Sequence, residues 1–119
     1  MAMNPSEFTN SDDEQRAIEA RCLTALAQRE HSRAELAAKL HGFTSTAIES
    51  VLDTLAARGW QSDARFAEAF VRNRLARGQG RLKVRHELEA RGIHGELLRD
   101  VLDAADWADA ARSAYLKKY

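Results

Sequence analysis

The chain is predicted to be all-α, built from tandem three-helix repeats that form an elongated array, with the third repeat incomplete. Three observations lead there. Apolar residues recur at helical spacing, as in Ile48, Val51, Leu52 and Leu55, while the alternation of a half-buried strand is absent. Glycines follow the ends of these stripes, at Gly42, Gly59, Gly78 and Gly92, as expected of helix stops. The pattern also recurs. Ile18, Cys22, Leu36 and Leu40 map onto Phe66, Phe70, Val84 and Leu88 at a constant offset of 48, and after a two-residue difference in a turn Ile48, Val51, Leu52 and Asp53 map onto Leu98, Val101, Leu102 and Asp103 at an offset of 50. Units of this kind bury apolar surface partly on themselves and partly on a neighbour, hence the array.

Residues 1–10 hold the one proline, Pro5, and no periodic pattern, so they read as a disordered tail. The first repeat spans residues 11–60. Ser11 with Glu14 has capping-box spacing, and Ile18, Cys22 and Leu26 carry a helix to Arg29. Ser32 with Glu35 repeats the device ahead of a short helix with Leu36 and Leu40, closed at His41-Gly42. Thr46 with Glu49 predicts a third box and a helix ending at Arg58-Gly59. The second repeat, residues 61–105, starts a helix at Ser62 with Phe66, Phe70 and Val71 on one side and Arg65 and Arg72 on the other. Gly78 and Gly80 end it; Val84 and Leu88 start the next stripe, which stops at Gly92 with Ile93 able to pack back. Trp60 and Trp107 each follow the third helix of a repeat, where a ring could fill a joint between modules. Residues 106–119, with Ala111, Tyr115 and Leu116 on one side, read as the first helix of the unfinished repeat.

With 119 residues the chain is long enough for one core and short for two independent ones, so a single soluble unit is expected. No apolar run approaches the roughly 18 residues a membrane span needs, and the start, MAMNPSEFTNSDDEQ, is polar and acidic, unlike a signal peptide. A cytoplasmic location without membrane contact is expected, and a monomer. Cys22 lies on the Ile18 and Leu26 stripe and reads as a core filler rather than a nucleophile. His31, His41, His86 and His94 are scattered without paired spacing, and there is no zinc-type cluster or nucleophile elbow. No enzyme, cofactor or metal is predicted.

A net charge of zero hides a strong polarity. Residues 1–57 carry a balance of −4, residues 58–91 one of +5, and the remainder −1. The middle segment holds Arg58, Arg65, Arg72, Arg74, Arg77, Arg81, Lys83, Arg85 and Arg91 against four acidic side chains. Such asymmetry argues for an oriented partner more than for indiscriminate polyanion binding.

The same segment carries an ordered motif: Asp63, Arg65-Phe66-Ala67, Phe70-Val71, Arg74, Gly78, Gly80, Val84, Glu87-Leu88 and Arg91-Gly92-Ile93. In these residues the chain resembles the bacterial regulatory protein RecX family; over residues 15–60 mainly the hydrophobic framework recurs, and residues 1–10 match nothing. The resemblance implies a string of three-helix repeats, usually three. It also implies a non-enzymatic modulator that binds the RecA nucleoprotein filament in its helical groove and restrains filament growth, ATPase, strand-exchange and coprotease activities, and so recombination and the SOS response.

The charged residues have bland readings beside this one. Glu68, between Arg65 and Arg72 at helical spacing, fits a solvated ion-pair ladder of a few tenths of a kcal/mol per pair. Arg74 and Arg77 project on the same side as Phe66 and Phe70, so each either serves the fold or meets a partner. Arg81, Lys83 and Arg85 crowd a helix start, where the macrodipole disfavours positive charge, which points to a use outside the fold. Gly78-Gln79-Gly80 reads as a turn rather than a phosphate cradle, because no strand precedes it. The expected partner-binding residues are Arg65, Arg72, Arg77, Arg81, Lys83 and Arg85, held in place by a structural core of Phe66, Phe70, Val84 and Leu88. The alternative is a helix-turn-helix-like DNA-binding module over residues 32–60, although its recognition helix offers Glu49, Ser50, Asp53 and Thr54, a poor face for a polyanion. Weak non-specific DNA contact through residues 65–85 is compatible with the filament-binding reading.

Overall fold

Each stripe of apolar residues becomes a helix in the computed structural model, which describes residues 11–118 apart from the side chains of Ala114, Lys117 and Lys118. The tail expected over residues 1–10 lies outside the described residues. Among the described residues there are helices α1 (Ser11–Gln28), α2 (Arg33–Ala38), α3 (Ser45–Ala57), α4 (Asp63–Ala76), α5 (Arg81–Ala90), α6 (Gly95–Asp103) and α7 (Trp107–Lys118), and no strand.

The expectation of a single core needs correction. Two compact units, Met1–Ser62 and Asp63–Tyr119, each close a core of their own. The physical reason is the repeat itself: contacts within a three-helix unit are local, so each unit finishes most of its burial alone.

In the first unit Ile18, Cys22, Leu36, Leu40, Val51, Leu52 and Leu55 are almost wholly buried. Each such side chain contributes about 1.5 to 3 kcal/mol of transfer free energy, so packing outweighs any single polar contact. The capping box at Ser32 forms, with Glu35 N–H donating to Ser32 Oγ at 3.1 Å and Ser32 N–H donating to Glu35 Oε1 at 3.1 Å. Arg29 donates two parallel hydrogen bonds to the same carboxylate, both 3.1 Å. Burial raises the Glu35 pKa, but the bonds from Arg29 and from Ser32 N–H outweigh that and hold it below the usual carboxylate range. Buried Gln61 donates to the His31 carbonyl at 3.3 Å, which ties the end of the unit to the α1–α2 turn.

The other two predicted boxes do not form. The N-cap of α3 is Thr44, not Thr46, and its side chain makes no cap bond. Instead Glu14 reaches across from α1 and accepts from Thr44 N–H at 2.6 Å and Thr44 Oγ1 at 2.9 Å. Glu49, expected to close the box, binds Arg33 at 2.7 Å. A carboxylate at helix spacing is therefore captured by whichever donor the tertiary fold brings nearest, and here that donor is distant in sequence.

The helix stops fall where the glycines predict them. Gly59 (φ 76°) and Gly92 (φ 84°) take the left-handed conformation that a side chain would strain, and Trp60 N–H and Ile93 N–H then bond back to Leu55 O and Leu88 O, both at 3.0 Å. Ile93 packs back as expected, 1% exposed. Trp107 packs on the second core and donates to Leu102 O at 2.8 Å, whereas Trp60 is 45% exposed with Arg58 over its ring at 5.4 Å.

Cys22, 1% exposed, has its thiol pushed up to about 11, by burial first and by Glu19 second. At pH 8 its thiolate is then about a hundredfold scarcer than that of an ordinary cysteine. Labelling with a disulfide reagent at pH 8 is expected to run at least about a hundredfold slower in the native chain than in urea; equal rates would show an open first core.

Candidate functional site

The second unit holds all six expected contact residues, together with Arg74 and Arg91. Helix α4 turns Phe66, Ala67, Phe70 and Val71 into the core, and by 100° steps this leaves Arg65 and Arg72 exposed. Phe66, Phe70, Val84 and Leu88 are 3%, 9%, 0% and 0% exposed, so the helices that carry the cations are anchored through them.

Arg74 projects to the buried side and belongs to the fold. Its Nε donates to Glu87 Oε2 at 2.8 Å, its Nη1 donates to Asn73 Oδ1 at 2.6 Å, and its guanidinium lies 4.1 Å from the Phe70 ring centroid. Arg91 also sits over that ring, at 4.8 Å, and donates to the Glu87 carbonyl at 3.0 Å. The hydrogen bond from Arg74 is the chief reason that the Glu87 carboxyl lies below its ordinary range. Two signature arginines, with Glu87 between them, thus pin α4 to α5. The Gly78-Gln79-Gly80 turn between these helices is a helix terminator: Gly78 N–H bonds to Leu75 O at 2.9 Å and Gln79 N–H to Arg74 O at 3.0 Å.

Five of the six proposed contact residues fall into two groups. Arg81 donates to Asp103 at 2.7 Å and Arg85 lies 3.5 Å from Glu89, with the arginine side chains 46% and 57% exposed. Arg72, Arg77 and Lys83 are exposed, and their side chains have no hydrogen bond or ion pair among the described residues. Arg65 is exposed on α4.

Two depressions adjoin these cations. One, of about 390 Å³, runs between α4 and α6 over Val71, Leu75, Leu97, Val101 and Ala105, with Arg72, Glu68 and Asp100 on its rim. The other, of about 340 Å³, lies between α5 and α6 and is lined by Arg81, Arg85, Glu89, His94 and Arg99 over Leu98 and Leu102. Arg99 escaped the sequence reading because it lies in the mildly acidic last segment. Its spacing held the signal: it precedes Asp103 by one turn, as Glu49 precedes Asp53.

Among the described residues no three His, Cys, Asp or Glu side chains are grouped to hold a metal ion, and no helix is long and apolar enough to cross a membrane.

Residues 62–102, most of the second unit, match the model of the second three-helix domain of RecX. A regulatory protein RecX from Chromohalobacter salexigens is 46% identical over 121 residues, covering 98% of this chain and 74% of that protein. The chain belongs to the RecX family. RecX proteins from Halorhodospira halophila and Xanthomonas axonopodis pv. citri are 39% and 41% identical, over 87% and 83% of this chain. The chain spans 66% and 64% of the lengths of these two relatives. A crystal structure of a regulatory protein RecX shares the fold, with a TM-score of 0.79 over 90% of this chain and 57% of that one, at 22% identity. The RecX relatives are named as regulators, and the all-helical three-helix units found here are the architecture they share.

Proposed function

We propose that this RecX-family chain binds the RecA nucleoprotein filament and restrains its growth, and with it the ATPase, strand-exchange and coprotease activities, so that it modulates recombination and the SOS response without catalysing a reaction. Membership of the family is the observation that carries this reading. It acts in the cytoplasm, as a monomer. The contact surface is the exposed face of α4 and α5, with Arg65, Arg72, Arg77 and Lys83, and with Arg81 and Arg85, whose half-exposed internal pairs are worth about 0 to 1 kcal/mol and exchange readily for a partner's carboxylate. A chain of repeated units suits a filament of repeated subunits, because a second contact made by a linked unit gains from effective concentration.

The helix-turn-helix alternative finds no support in the first unit. Glu49 and Asp53, on the helix that would enter a groove, hold Arg33 at 2.7 and 2.9 Å, so an acidic face would meet the phosphates. Weak non-specific DNA contact through α4 and α5 remains compatible with filament binding.

The test is ATP hydrolysis by RecA on single-stranded DNA, followed against the ratio of added chain to RecA. Suppression is expected well below one chain per RecA subunit, as blocked growth requires. A correctly folded chain that leaves hydrolysis unchanged at every ratio overturns the reading, and duplex binding with a sequence preference favours the alternative.

A further inference from the structure

The two repeats build the same ion pair and finish it differently. Arg33 and Arg81 are equivalent at the offset of 48, and Asp53 and Asp103 at the offset of 50. Each arginine starts the second helix of its repeat and each aspartate lies on the third, and the pairs close at 2.9 and 2.7 Å. In the first repeat a second carboxylate, Glu49, completes the clamp on Arg33 at 2.7 Å. Burial lowers the Arg33 pKa, but the hydrogen bonds to Asp53 and Glu49 outweigh it, and the guanidinium is held above its ordinary value. That arginine is held by two carboxylates, with its side chain 32% exposed.

At the position of Glu49 the second repeat has Arg99. Arg81 therefore keeps one carboxylate, its side chain is 46% exposed, and a second guanidinium enters the groove where an acid would stand. Arg99 makes no ion pair or hydrogen bond among the described residues, and Arg85 is held only by a 3.5 Å contact with Glu89. Like charges gathered around one groove repel, and a planar carboxylate offered to two guanidiniums relieves that repulsion with hydrogen bonds at matched geometry.

We propose that the α5–α6 groove of the second unit is a receptor for an acidic side chain of a partner protein, which takes the place that Glu49 fills in the first unit. The inference rests on the filament-binding reading in taking the partner to be a protein. The chain's own precedent identifies the occupant: the same helix positions hold a carboxylate when the sequence supplies one. A nucleic-acid strand fits less well. Its neighbouring phosphates would run against Glu89, which lines the groove, and Asp103, which holds Arg81, whereas a single carboxylate need span only Arg81 and Arg99. Leu98 and Leu102 beneath, 5% and 2% exposed, give the site a dry floor that strengthens a charge-assisted contact.

The decisive variant is Arg99→Glu, which rebuilds the first repeat's arrangement inside the second. It is expected to fold with an unchanged or higher thermal midpoint, since its new carboxylate clamps Arg81, and to bind RecA filaments at least about tenfold more weakly. Arg99→Ala should weaken binding less. Wild-type binding with an undiminished Arg99→Glu affinity overturns the groove and leaves the filament reading standing. Should the wild type fail to bind filaments, that reading falls, and the groove is judged by an NMR titration of the full chain with hexaglutamate. Arginine Nε–H signals from Arg81 and Arg99 should then shift in the wild type and not in Arg99→Glu; no shift overturns the proposal. So does a loss on Arg99→Glu confined to naked single-stranded DNA, which would make the ligand a phosphate.

Discussion

Replacing Arg74 with alanine is expected to cost the second unit about 2 to 3 kcal/mol, a large share of what a unit of this size can possess. The loss has two parts. Glu87, whose side chain is 22% exposed, loses the bond that Arg74 made at 2.8 Å and keeps only the weaker attraction of Lys83 and Arg91. Phe70 loses the guanidinium 4.1 Å from its ring, worth about 0.5 to 1 kcal/mol at a partly exposed site. Urea unfolding followed by circular dichroism measures the change. The pH dependence adds a readout that a simple loss of packing would not give. Because the folded Glu87 pKa is below its unfolded value of 4.5, its contribution is fully present above pH 4.5 and disappears as pH falls through the lower folded value. Wild-type stability should therefore fall on acidification below pH 4.5 more steeply than that of Arg74→Ala, which has already lost this bond. Identical acid profiles and equal stabilities would return Arg74 to the contact surface.

Arg74 also shows what could be read from the chain and what could not. Its helical phase placed it on the buried side, and that much follows from 100° steps; its partner is 13 residues away on the next helix, and no local rule chooses it. The core was legible because apolar periodicity repeats. Ile18, Cys22, Leu36 and Leu40 and their equivalents Phe66, Phe70, Val84 and Leu88 are all buried. Carboxylates were less legible, since Glu14 and Glu49 have the spacing of capping boxes but bind Thr44 and Arg33, 30 and 16 residues distant in the chain. The repeat could have resolved part of this. Carrying the offsets from the apolar residues to the charged ones sets Arg81 and Asp103 at the positions of Arg33 and Asp53 and exposes Arg99 as the odd replacement, a step that needs only the numbering. Two cores in place of one follow from the same arithmetic, because a repeat that recurs whole can close whole.

The second large effect concerns binding. Reversing Arg72 and Lys83 together to glutamate is expected to lower affinity for RecA filaments about a hundredfold while unfolding stability changes by less than about 1 kcal/mol. Neither side chain has an internal ion pair to lose among the described residues, so the fold is spared apart from new repulsion with Glu68 and Glu87, each one helical turn away and worth a few tenths of a kcal/mol. Binding is not spared, since a single removed charge at a wet rim changes little whereas two reversed ones set like charges face to face. Arg72 borders the apolar depression over Val71, Leu75 and Val101, where a partner's apolar side chain would exclude water and sharpen the penalty. Arg81→Glu is a poorer probe, because it would meet Asp103 at the end of a 2.7 Å contact and confuse lost binding with lost stability. Filament affinity measured from 50 to 300 mM salt separates the causes: the wild type should weaken with salt, and the double reversal should weaken less steeply. Full affinity in a folded double variant would move the interface off α4 and α5.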